Sequence, residues 1–257
     1  MCIRDSASLQ RLNILFKLLE RNRKRIEPLA KELGATKQEV HRNLVRLEAS
    51  GLITKEKDGK YSLTTFGKTM CVEIPSILFL SQHNEYFQDH DFGNIPLKFV
   101  MRAGQLATGS HIKGITKTLQ KWKSVYSNAN EYICEILSEI PEDLFDPILK
   151  KIKNGVKFEY IVSESAIVPE GRLTRLKKSG FYELLENGSI ERKMQRSVQT
   201  VVVLNEKEAC IFFPKNGEAD LTEMFYSDQD VFHEWCLDYF RYCWYNSGSF
   251  QENKLKE

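Results

Sequence analysis

Val40-His-Arg-Asn-Leu-Val-Arg-Leu-Glu-Ala-Ser-Gly-Leu-Ile53 decides the reading of the first quarter of this chain. Val40, Leu44 and Leu47 recur at helical spacing and share one face, which leaves Lys37, Gln38, His41, Arg42 and Val45 on other faces, mostly open to solvent. The helix is expected to start at Thr36, whose hydroxyl caps it while Glu39 completes a capping box, and to run to about Ala49. After Ser50-Gly51 come two short strands, 52–55 and 60–64, joined by Glu56-Lys-Asp-Gly59, in which Asp58-Gly59 is a tight-turn signal.

Working outward, Leu12, Leu15, Phe16 and Leu19 make one buried stripe on a first helix beginning near Leu9. A second helix fits 26–33 and is stopped by Gly34, a suitable left-handed terminator. Three helices followed by a hairpin predict a winged helix-turn-helix over residues 7–67. Charge supports that reading: residues 1–70 hold 15 Lys and Arg against 8 Asp and Glu, a net +7, while residues 71–257 hold 22 against 27, a net −5. Concentrated positive charge attracts phosphate polymers whatever their sequence.

The winged-helix segment resembles archaeal regulators of the arsenic-repressor-like type. The resemblance is carried by Leu29-Ala-Lys-Glu-Leu33, by the 40–53 run above and by Tyr61-Ser-Leu-Thr-Thr-Phe-Gly67. Residues 1–6 do not look like the family and read as a gene-assembly scar.

With 257 residues, two domains are expected, since domains cluster near ~100 to 150 residues. The composition, 42% hydrophobic and 28% charged, excludes wholesale disorder and a collagen-like chain. The run Ile74-Pro-Ser-Ile-Leu-Phe-Leu80 is far short of the ~20 apolar residues that cross a bilayer, and no cleavable signal follows Met1, so a soluble, cytoplasmic protein with no membrane partner is expected. Six cysteines, at 2, 71, 134, 210, 236 and 243, form no CxxC pair; they read as buried thiols, with neither a zinc site nor a disulfide framework.

Residues 68–92 are expected to be a helical connector. Phe66, Met70, Ile74, Ile77, Leu78 and Leu80 make it apolar, and Pro75 predicts a kink or two helices. Its stripe faces either a second subunit or its own domain. Over 93–247, strand candidates at 106–110, 131–137, 156–163, 189–194, 199–204 and 209–213 alternate with helices at 116–126, 142–152, 173–185 and 230–244, predicting an α/β sensor-like domain. Residues 248–257 read as a polar tail.

This second part resembles the middle domain of archaeal methanogenesis regulators of the FilR type. The residues that carry the likeness are Asn84-Glu-Tyr-Phe-Gln-Asp-His-Asp-Phe-Gly-Asn-Ile-Pro96, Arg102-Ala-Gly-Gln-Leu106, Gly155-Val-Lys-Phe158 and His233-Glu-Trp-Cys-Leu-Asp-Tyr-Phe-Arg-Tyr-Cys-Trp244. The resemblance implies a DNA-binding transcriptional regulator with an effector domain whose ligand is unknown.

Several constellations invite sharper chemistry. His111-Ile-Lys113 begins an H-x-K-x4-D phosphodiester motif, but position 118 is Thr, so a surface or capping role is expected for His111 and no enzymatic activity for the chain. His83 and His90, seven apart, exceed the i, i+4 bite of a zinc helix; His233 and Cys236, at i, i+3, sit among Phe232, Trp235, Tyr239, Phe240, Cys243 and Trp244, a core stripe. No metal is expected. Neither GxGxxG nor GxxxxGK[ST] is present, and no cofactor is expected. Ligands collect beyond the carboxyl ends of strands in open α/β sheets, which singles out Ser163, Glu164 and Ser165 after one strand and Ser138 after another.

The expectation is a homodimeric regulator of double-stranded DNA that also senses a small-molecule effector. Thr36, Lys37, Gln38, His41 and Arg42 meet the major groove, and Lys55, Lys57 and Lys60 hold the flanking backbone. The competing expectation is a scaffold that uses the winged helix to bind a protein partner.

Overall fold

The computed structural model describes residues 9–21, 23–139, 142–166 and 168–255. Residues 1–6, Cys2 among them, and the last two residues of the expected tail lie outside them. The chain divides into two units, Met1–Ile77 and Leu78–Glu257. It is a mixed α and β protein, with a mainly helical first unit and a larger second unit built on a β-sheet.

In the first unit, α1 (Leu9–Arg21), α2 (Ile26–Glu32) and α3 (Lys37–Ala49) precede an antiparallel pair, β1 (Ile53–Lys55) and β2 (Tyr61–Leu63). The core takes Ile14, Leu15, Leu18, Leu29, Val40, Leu44, Leu47 and Leu52, all fully buried. The stripe expected on α1 is corrected. Leu19 is 42% exposed and Phe16 only half-buried, while Ile14 and Leu18 go inside. The doublets Ile14-Leu15 and Leu18-Leu19 offer two apolar faces at the same period, and packing against α3 and the hairpin selects one of them.

The Thr64-x-x-Gly67 exit from the hairpin has a steric cause. Thr64 Oγ1 donates to the Gly51 carbonyl at 2.7 Å and accepts from the Gly67 N–H at 3.0 Å, drawing the chain against Leu52. A Cβ on Gly67 would stand 1.9 Å from the Leu52 carbonyl oxygen, so only glycine fits. Helix α4 (Thr65–Gln82) follows as one helix with Pro75 inside it, so of the two expected outcomes, a kink or two helices, the second does not occur.

The second unit holds an eight-stranded sheet in the order β12-β6-β5-β4-β7-β8-β11-β3. Its strands are β3 (Ser110–Lys113), β4 (Tyr132–Leu137), β5 (Lys157–Ser163), β6 (Ile190–Gln195), β7 (Val201–Asn205), β8 (Ala209–Phe212), β11 (Glu223–Ser227) and β12 (Gly248–Ser249); a separate pair joins β9 (Pro214–Lys215) and β10 (Glu218–Ala219). β4, β5 and β6 are parallel, and the other pairings are antiparallel. The helices are α5 (Leu97–Val100), α6 (Ile115–Asn128), α7 (Glu142–Lys153), α8 (Arg172–Lys178), α9 (Phe181–Glu186) and α10 (Asp230–Tyr245).

Three expectations change here. The strand placed at 106–110 is a 3-10 turn, Ala103–Thr108, and the strand starts at Ser110, pairing with β11, which had no counterpart in the sequence reading. The helix placed at 173–185 is two helices, because Gly180 adopts φ 75°, a left-handed conformation that ends the first. Residues 248–249 of the expected polar tail are a strand on β6. Cys71, Cys134, Cys210, Cys236 and Cys243 are buried free thiols. Among the described residues no helix is long and apolar enough to cross a membrane.

Candidate nucleic-acid interface

Helix α3 is fixed at its start and along one side. Thr36 Oγ1 accepts from the Glu39 N–H at 3.2 Å, and Glu39 Oε2 accepts from the Thr36 N–H at 3.0 Å, so two orphan backbone donors are satisfied. These bonds hold the Glu39 carboxyl below the usual carboxylate range. Val40, Leu44 and Leu47 face the core, joined by Asn43, which is buried and donates to Gln10 Oε1 at 2.6 Å. Lys37, Gln38, His41, Arg42, Val45 and Arg46 are exposed. The Thr36 hydroxyl is occupied by the cap, and the Lys37 ammonium is paired with Glu27.

The hairpin is equally specific. The Glu56 N–H donates to Lys60 O at 2.8 Å, and Gly59 takes φ 80° to close the turn. Lys55 lies over the Tyr61 ring at 5.8 Å and Lys60 pairs with Asp58 at 2.7 Å, while Lys57 is exposed at the turn.

Sequence reasoning missed a third basic element. Lys24 exchanges both backbone hydrogen bonds with Tyr61, at 2.8 and 3.1 Å, and buries its ammonium on Glu32. Neighbouring positions on an extended segment point to opposite sides. Arg23 and Arg25 are thus turned outward, Arg23 to Glu56 at 3.1 Å and Arg25 to the Asp58 carbonyl at 3.4 Å. The signal was the basic run at residues 21–25, which the sequence reading used only as net charge.

In the second unit the four expected ligand residues separate. Ser163 is buried at the end of β5 with its Oγ 2.8 Å from that of Ser165, an ordinary turn contact. Glu164 borders a cleft of about 460 Å³ beyond the carboxyl ends of β5 and β6, together with Gln195, Arg196, Tyr239, Tyr242 and Asn246. Ser138, Ser163 and Ser165 are not on its wall. Glu164 is itself paired with Lys254 at 2.7 Å.

The histidines are committed inside the unit. His90 stacks on Tyr86 with ring centroids 3.8 Å apart and puts Nε2 2.9 Å from Asp220 Oδ2. His233 Nε2 lies 2.6 Å from the Asn205 carbonyl oxygen. His111 has neither the surface nor the capping role expected of it. It stacks on Phe225 at 4.8 Å, edge-on to Tyr86 and His83, with Nε2 2.8 Å from Glu223 Oε2. Burial lowers the pKa of both His83 and His111. Lys113 Nζ is 3.6 Å from the same carboxylate, and the Thr118 hydroxyl donates to the Leu221 carbonyl at 2.8 Å.

Residues 5–79 match the family described as the HVO_A0261 N-terminal domain. No curated protein sequence matches the chain. Among solved structures, the chain is similar to TrmBL2, described as an archaeal chromatin protein that shows a novel mode of DNA binding, at 14% identity over 95% of each chain with a TM-score of 0.45. It is also similar to Nuc, a phospholipase D family member from Salmonella typhimurium, at 13% identity over 56% of this chain and 99% of that one, TM-score 0.42. A third is the S-adenosylmethionine-dependent methyltransferase SibL, at 14% identity over 72% and 60%, TM-score 0.25. The expectation that the chain has no enzymatic activity is withdrawn, because enzymes of two classes stand among the structures it resembles.

Proposed function

We propose that the first unit is a winged helix that binds double-stranded DNA, and that the chain is a homodimeric transcriptional regulator of the archaeal arsenic-repressor-like and FilR-type kind. The observation that carries this reading is the two-sided character of α3. Its inner face is locked into the core by Val40, Asn43, Leu44 and Leu47, so its outer face is a rigid, solvent-facing array of Gln38, His41, Arg42, Val45 and Arg46. Arg42 and Gln38 carry the donor geometry that reads guanine and adenine edges, and exposed Val45 suits a thymine methyl group. Lys55, Lys57 and Lys60, with Arg23 and Arg25 beside them, supply sequence-independent phosphate contacts.

Electrophoretic mobility of duplex DNA with the full chain, repeated across a salt series, tests this reading. A steep fall of affinity with salt is expected, because each neutralised phosphate releases counterions. Affinity indifferent to salt would favour the protein-partner scaffold instead. The effector role of the second unit rests on the cleft beside Glu164, whose tyrosine, arginine and amide lining suits a polar small molecule. Native mass spectrometry of the purified chain identifies what that cleft retains, and sedimentation reads the dimer.

A further inference from the structure

A second cavity, of different chemistry, lies in the second unit between β4 and β5 on one side and α7, α8 and α9 on the other. Its volume is about 90 Å³, and its walls are mainly apolar, with Leu137, Ile148, Ile152, Phe158 and Phe181 contributing. That is more than the ~10–15 Å³ one water needs and less than the ~150 Å³ cavity that accepts benzene. The space suits an alkyl group of a few carbons.

Charged side chains also line it: Arg172 pairs with Glu252, Arg175 pairs with Glu142 and Asp146, and Glu170 is exposed. Glu135, only 1% exposed, borders this apolar space. Trp122 Nε1 donates to its Oε1 at 2.9 Å, and the Tyr126 hydroxyl donates to the same oxygen. Among the described residues no hydrogen bond reaches Oε2 and no Lys or Arg pairs with the carboxylate. A buried carboxylate with no cation beside it is costly unless something else supplies the charge or the donor. The two donors on Oε1 hold the group in place without neutralising it, and desolvation pushes its pKa up to about 7. A positively charged nitrogen arriving at Oε2 would meet both needs at once.

We propose that this cavity binds a small alkylamine, its apolar body packed between Ile148, Ile152 and Phe158 and its ammonium donating to Glu135 Oε2. The site goes beyond the regulatory reading above and does not depend on it, since every wall residue belongs to the second unit. Like charge at Glu135 disfavours an anion of the same shape, since Arg172 and Arg175 on the same wall are already paired with carboxylates, and a neutral alcohol offers a donor without the charge. Binding strengthens as pH rises through 7, where the empty site loses its proton.

The test is a titration of the full chain with isobutylamine, isobutanol and isobutyrate, read from the methyl resonances of Ile148 and Ile152. Saturable shifts are expected with the amine, at least tenfold weaker ones with the alcohol, and none with the acid. Glu135→Gln should abolish the preference for amine over alcohol, and Ile148→Phe, which fills the cavity from the helix wall, should abolish binding of both while leaving the carboxylate network intact. Equal response to amine and acid, or an amine preference that survives Glu135→Gln, overturns the proposal. DNA binding measured on the same samples keeps its failure separate from any failure of the DNA-binding reading.

Discussion

Asn43 donates a hydrogen bond to Gln10 across 2.6 Å, tying the middle of α3 to the start of α1 through the one polar side chain on an otherwise apolar face. The bond sets the rotation of α3 about its axis, and so decides which side chains look outward. Asn43→Ala is expected to destabilise the first unit by about 1 kcal/mol, the usual net value of such a bond. Hydrogen exchange at the α1 and α3 amides of the full chain reads it directly, and unchanged protection would mean the helix is oriented by its leucines alone.

Arg42→Ala should weaken DNA binding by ~1 to 3 kcal/mol with thermal stability unchanged, because the side chain projects from the exposed face. Intact affinity in a folded variant would remove Arg42 from the interface.

Leu44→Ala should do the reverse, costing about 2 to 5 kcal/mol of stability, because Leu44 is fully buried. Chemical denaturation followed through the first unit's helical signal measures this loss, and near-native stability would contradict the packing described for α3.

Replacing Lys55, Lys57 and Lys60 together with Gln should lower the slope of log affinity against log salt by up to ~3 per subunit, with sequence preference kept. Binding isotherms on two unrelated duplexes at four salt concentrations separate the outcomes: a lost preference with an unchanged slope would make the hairpin a base reader.

Glu135 gives a pH signature of its own. Its folded pKa, about 7, stands above the model-peptide value of 4.5, so the native state holds a proton that the unfolded chain has released. Stability should fall as pH rises from about 4.5 to about 7 and level off above that, and Glu135→Gln should remove this part of the slope. Urea midpoints of the two proteins at pH 5, 6, 7 and 8 make the comparison. Parallel curves would mean that the carboxyl is ionised throughout.

The helices of the first unit were legible because a capping box, a left-handed glycine and a 3.6 period are local signals, and α3 follows Thr36, Glu39 and its apolar face closely. Local signals fail where two solutions are locally equal. On α1 the paired apolar residues permit either face, and only contact with α3 and the hairpin chooses. In the second unit β11 reads Glu-Met-Phe-Tyr-Ser, with little alternation, because a strand between two others is buried on both sides. The basic edge at Arg23 and Arg25 was hidden for a different reason: its direction depends on pairing between Lys24 and Tyr61, 37 positions apart in the chain, which no local pattern records. Glu135 carried no signal at all, because a carboxylate within a run of strand residues looks like an exposed position until the neighbouring helix supplies Trp122 and Tyr126.

The place of β3 at the edge of the sheet bears on how the chain reaches this structure. Among the described residues its only strand neighbour is β11, with Lys113 opposite Glu223, so about 110 residues must be made before its partner exists. Closing so long a segment is entropically dear and slow compared with forming the β7–β8 hairpin, whose strands are close in sequence. Synthesis delivers β3 before the meander of β7, β8 and β11 that receives it. His111 therefore cannot meet Phe225 until that edge pairing has formed.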